Sequence, residues 1–107
     1  MTRFAIPAIL TLLLSAFSNV VRADVNLEKM SNEALLECAN VSNVQSAVPE
    51  HRTSFRNYLM SARNYSFSKL SSAESDFKAA NRNTKDVLKV YQTQCLEVGE
   101  HLYSIGY

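Results

Sequence analysis

The triplet Arg-Asn-Tyr occurs twice in this chain, at Arg56-Asn57-Tyr58 and again at Arg63-Asn64-Tyr65. The offset of seven is close to two helical turns, so a helix carrying both copies lines its arginines along one edge and its tyrosines along another. Arg52, Arg56 and Arg63 then project in nearly one direction, with His51, Tyr58 and Tyr65 beside them. Arginine and tyrosine join large contact area to directional hydrogen bonding, and both are enriched where proteins grip one another. These six residues are the candidate partner-binding set, suited to a partner that offers carboxylates. The competing account is internal: arginines on a bundle border lay their stems over apolar surface and pair with a glutamate of the next helix.

Other chemistries find less to work with. Metal sites need His, Cys, Asp or Glu at ligand spacings, whereas His51 and His101 are isolated in sequence. Covalent haem attachment needs Cys-x-x-Cys-His, which is absent, and Met30 and Met60 sit at ordinary core spacing. The carboxylates Glu28, Glu33, Glu37, Glu50, Glu74, Asp76, Asp86, Glu97 and Glu100 are spread over polar helix faces, and no serine lies in a glycine-flanked elbow. Two glycines cannot build a phosphate cradle. The expectation is a protein that is not an enzyme and that has no catalytic residue, metal or cofactor. Two Asn-x-Ser sequons, at Asn40 and Asn64, matter only in a host that glycosylates.

The cysteines and the leader set the compartment. Residues 1–23 hold a basic start at Arg3, an apolar run from about Phe4 to Phe17 and the small-residue pattern Val21-Arg22-Ala23, the anatomy of a cleavable signal peptide. The run falls short of the roughly 20 apolar residues that span a bilayer. Residues 24–107 then form a single domain, expected in the periplasm or outside the cell. Removing Arg3 and Arg22 from the 11 basic residues leaves 9 against 10 acidic ones, a balance of −1, which speaks against nucleic acid as a partner. In an oxidising compartment Cys38 and Cys95 pair, and a loop of this length stabilises a small domain by about 4 kcal/mol.

The elements that must position these residues read as helices, with no strand alternation and no hairpin dipeptide. A first helix is expected over 31–46, capped by Ser31, with Leu35, Cys38, Val41 and Val44 inward. A second runs over 49–66 from Pro49, with Phe55, Tyr58, Leu59, Ala62 and Tyr65 as its core face. A third opens with a capping box at Ser71 and Glu74. The stripe Leu70, Ala73, Phe77, Ala80, Thr84, Val87, Leu88, Tyr91, Cys95, Val98, Leu102, Ile105 then serves one long helix, or two divided at residues 81–84, with Asn83 or Thr84 as cap and Gly99 or Gly106 as terminator. The fold class is an all-α antiparallel bundle of three or four helices, stapled by Cys38–Cys95.

Taken together, these features point to an exported protein-binding module of the inhibitor or immunity kind, whose partner is a secreted or periplasmic enzyme. An envelope stress or chaperone-like protein and a small-ligand carrier are the alternatives, and the long stripe leaves a homodimer open. The segment Tyr103–Tyr107 is a second candidate surface.

Overall fold

The computed structural model describes residues 25–107, so the signal-peptide reading of residues 1–23 lies outside the described residues. Among the described residues there are four helices and no strand. After a short 3-10 turn, Leu27–Lys29, α1 spans Asn32–Val41 and starts where Ser31 Oγ accepts from the Ala34 amide at 3.0 Å. It stops short of Ser46. Ser42 Oγ donates to the Cys38 carbonyl at 2.6 Å, and the next residues close into successive turns, since serine and asparagine compete with the helical ladder for its own bonding groups.

Helix α2, Pro49–Ala62, begins with proline at its first turn, where a missing N–H costs nothing. It ends before Ser66 because Asn64 takes a left-handed φ of 61°, and the Tyr65 amide turns back to the Leu59 carbonyl. That early turn moves the start of α3, Phe67–Ala79, forward. Its cap is Ser66, whose Oγ accepts from the Lys69 amide at 3.1 Å, and Ser71 and Glu74 lie inside the helix instead of boxing its start.

Helix α4 runs as Thr84–Val90, widens into a π-helical segment Tyr91–Cys95, and continues as Leu96–Ser104. Asn83 caps it, accepting from the amides of Lys85 and Asp86. Val87, Tyr91, Cys95, Gly99 and Leu102 all face inward, a stripe that needs more than the roughly 3.6 residues per turn of an α-helix. The wide segment supplies the difference. Gly99 does not end the helix; a Cβ there would lie 2.7 Å from the ring of His51, so glycine is what lets α4 lie against α2. Gly106, at φ 109°, is the terminator, with Tyr107 N–H on the Leu102 carbonyl and Gly106 N–H on that of Tyr103.

The core joins Leu35, Cys38 and Val41 of α1 to Phe55 and Leu59 of α2 and to Val87, Tyr91, Cys95 and Leu102 of α4. The Cys38–Cys95 disulfide, with Cα atoms 5.3 Å apart and 57 positions between them, ties the first helix to the last. From α3 only Leu70 is a fully buried apolar residue. Ala62, Ala80, Thr84 and Ile105, expected to face inward, are exposed: each stands at the end of its helix, where the chain turns away from the core.

Candidate functional site

Arg52 and Arg56 of α2 and Arg63, its C-cap, line one edge and then part. Arg52 reaches α3 and holds Glu74 with two bonds, Nε to Oε2 at 2.9 Å and Nη2 to Oε1 at 2.7 Å. Arg56 Nη1 lies 3.5 Å from the same carboxylate, and its guanidinium stacks 5.5 Å above the Phe67 ring. Asn43 donates to Glu74 as well. The Arg52 hydrogen bonds outweigh the cost of burial and bring the Glu74 carboxyl down to about 2, while Glu74 raises Arg52 in return. Arg63 goes elsewhere. Its Nη1 donates to Asn32 Oδ1 at 2.6 Å and its Nη2 to the Leu27 carbonyl at 2.8 Å, fastening the start of α1.

The neighbours of the arginines turn inward too. Tyr58 is buried, sits 5.5 Å beneath the Arg63 guanidinium and meets the Tyr107 ring edge-on at 5.2 Å, while Asn57 donates to the Tyr107 carbonyl. Tyr65 is half-buried under Lys69. His51, 1% exposed, joins a polar chain through the core. Val48 N–H donates to Tyr91 Oη at 2.9 Å, and Oη lies 2.8 Å from His51 Nδ1. A neutral ring protonated on Nε2 aims that N–H at the Glu100 carboxylate, 3.5 Å away, and leaves Nδ1 to accept from the Tyr91 hydroxyl. Burial pulls the His51 pKa below its ordinary 6.5 against the pull of Glu100 and Glu50, so the fold favours the neutral ring. Thus His51, Arg56 and Tyr58 are buried, and Arg52, Arg63 and Tyr65 are half-buried. The guanidinium groups of Arg52, Arg56 and Arg63 and the His51 ring find partners within the chain, while Tyr58 and Tyr65 are engaged through their rings.

Besides a depression of about 460 Å³ beside the π-helical segment, lined by Gln92, Leu96 and Val98 among others, the fold leaves open a groove between α1 and α3. Glu33, Leu36, Glu37 and Asn40 form one stripe of α1, and Ala73, Asp76, Phe77 and Ala80 a stripe of α3 at the same i, i+3, i+4, i+7 spacing. The depression they line has a volume of about 450 Å³ and continues past Phe77 and Arg82 into a second of about 260 Å³, bordered by Asn43, Lys78 and Asn81. Leu36, Ala73, Phe77 and Ala80 supply apolar surface, and Glu33, Glu37 and Asp76 stand at the edges. Arg82, from the loop before α4, lies 5.2 Å over the Phe77 ring and 3.2 Å from Glu37.

The sequence does carry the signal for this groove. Ala73, Phe77 and Ala80 have helical spacing, but that spacing reads equally as core, and only the small burial of α3 tells the two apart. Phe67, Tyr103 and Ile105 are the large apolar residues most open to solvent. Of the two sequon asparagines, Asn64 is exposed on its turn and Asn40 is buried beside the groove. Among the described residues no three His, Cys, Asp or Glu side chains gather as a metal site, and no helix is long and apolar enough to cross a membrane. Compared with models of protein families, with curated proteins and with solved structures, the chain matches none.

Proposed function

We propose that this chain is an exported protein-binding module of the inhibitor or immunity kind, which occupies a partner enzyme in the cell envelope and presents the α1–α3 groove to it. The observation that carries this reading is the groove itself: an apolar trough with a charged rim, on a scaffold whose α2-edge arginines Arg52, Arg56 and Arg63 are engaged inside the fold. The disulfide supports the exported part, because such bonds persist in oxidising compartments. Affinity capture from the host's envelope and culture fluid, with the oxidised protein as bait, tests it. One stoichiometric partner that survives moderate salt is the expected result; an empty capture defeats the reading.

A specific observation favours a second reading, an envelope stress protein that exposes apolar surface in acid. Helix α3 is fastened by a carboxylate, Glu74, whose protonation would release it. Dye binding that appears on acidification with the disulfide intact, together with many weak clients in the capture, would move the assignment there.

A further inference from the structure

We infer that the α1–α3 groove receives an amphipathic helix with a cationic edge, supplied by the partner. The inference rests on the binding reading above and names the chemistry of the segment bound.

The shape comes from the two stripes. Each presents residues at i, i+3, i+4 and i+7, the pattern by which one helix offers ridges and grooves to another, and two such stripes side by side make the seat for a third helix. Ala73 and Ala80 are small and lie two turns apart on α3, so the incoming backbone can come close, while Leu36 and Phe77 form the apolar floor between. An extended strand finds no partner here, since no sheet edge exists among the described residues.

The charge comes from the rim. Three carboxylates, Glu33, Glu37 and Asp76, line the wider depression, against a single cation, Arg82, that is already paired with Glu37. Glu33 and Asp76 are exposed, and among the described residues no ion pair engages either. Lysines or arginines flanking the apolar stripe of a docked helix meet these two from either side, and a glutamate-flanked helix is repelled by them. The remaining cations, Lys78 and Arg82, stand at the narrower depression beside Asn81. That end suits the carbonyl terminus of the docked helix, where the macrodipole is negative. The charge order along the groove therefore sets the direction of the bound helix.

The test uses synthetic 18-residue peptides titrated against the oxidised protein: one with a leucine face flanked by lysines, a twin with glutamates in their place, and a scramble of the lysine peptide that destroys the leucine face. The lysine peptide is expected to bind at least tenfold tighter than either control. Glu33→Lys with Asp76→Lys changes two exposed side chains that join no ion pair among the described residues, and it should lower that affinity at least tenfold while leaving the all-helical circular dichroism spectrum in place. Ala73→Arg, which fills the floor, should do the same. A spin label at the peptide's carboxyl end should broaden the amides of Lys78–Arg82. Equal binding of the lysine and glutamate peptides, or affinity untouched by the charge reversal, overturns the inference, and broadening at Glu33 instead overturns the assigned direction. Failure here with a stoichiometric partner still captured removes the groove chemistry and leaves the binding reading standing; an empty capture removes the binding reading itself.

Discussion

Helices α1, α2 and α4 are held to one another in a different way from α3. The first three share nearly all of the buried apolar side chains and a covalent bond between Cys38 and Cys95. Helix α3 gives that core one fully buried apolar residue, Leu70, with Phe77 partly buried against it, and adds an ionic anchor: Glu74, gripped by Arg52, with Asn43 and Arg56 beside it. Apolar burial is non-directional and spreads over a whole face, so it draws helices together along their length. A bidentate ion pair fixes one point. Fastened most deeply at two neighbouring turns, Leu70 and Glu74, α3 keeps its adjacent stripe only half-covered, and the groove against α1 follows from that economy of contact.

If the two regions are held differently, they should fail differently. The largest effect is expected in the three-helix body. Cys95→Ser removes the staple between α1 and α4 and should lower global stability by about 4 kcal/mol, read as a shift of the urea midpoint. A loss confined to α3 would mean the staple is not what closes the body.

Glu74→Ala should act on the other region. It leaves Arg52 and the buried Arg56 without their carboxylate, at a cost of about 2 kcal/mol. Hydrogen exchange by mass spectrometry should show protection falling over Phe67–Ala79 well before it falls over the body. Uniform loss of protection would show that α3 and the body are a single cooperative unit.

The smallest effect is expected from pH, which separates the regions by their titrating groups. His51, facing Tyr91, Glu100 and Glu50 inside the body, has a folded pKa below its ordinary 6.5. The unfolded chain therefore binds the proton more readily, and this contribution to stability is complete above about pH 6.5 and shrinks as pH falls below it. Glu74 has its folded pKa lowered from 4.5 to about 2, so its contribution is complete above about pH 4.5 and is lost as pH falls toward 2. Stability followed by urea titration should decline in two stages, and Glu74→Gln should flatten the lower one only. A Glu74→Gln profile with the same acid limb as the parent would exclude the clamp as its origin.

Much of this architecture was legible from short stretches of chain. Ser31, Pro49 and Asn83 start their helices as their residue types require, because a cap depends on groups three positions away. The inward stripes Leu35–Cys38–Val41 and Phe55–Tyr58–Leu59 follow from helical period alone. Where the local signal was ambiguous, it misled. Ser71 and Glu74 have the spacing of a capping box, but Ser66 lies earlier, and the left-handed Asn64 turns the chain in time for Ser66 to cap first. Gly99 has the composition of a helix end and the task of a helix contact.

The sequence by itself determined the all-helical class, the cap positions and the availability of two cysteines, since all of these rest on residue type and on neighbours within a turn or two. Only the tertiary structure decided where the side chains of the repeated Arg-Asn-Tyr would be spent. Arg56 and Arg63 are equivalent in the repeat, yet one faces a glutamate of α3 from inside α2 and the other, at the helix's C-cap, an asparagine of α1. Those partners are 18 and 31 positions away in opposite directions along the chain. No periodicity encodes such a pairing, because it depends on how α1 and α3 lie across α2. The groove was settled in the same way: the spacing of Ala73, Phe77 and Ala80 makes a face, and the thin anchoring of α3 leaves that face open.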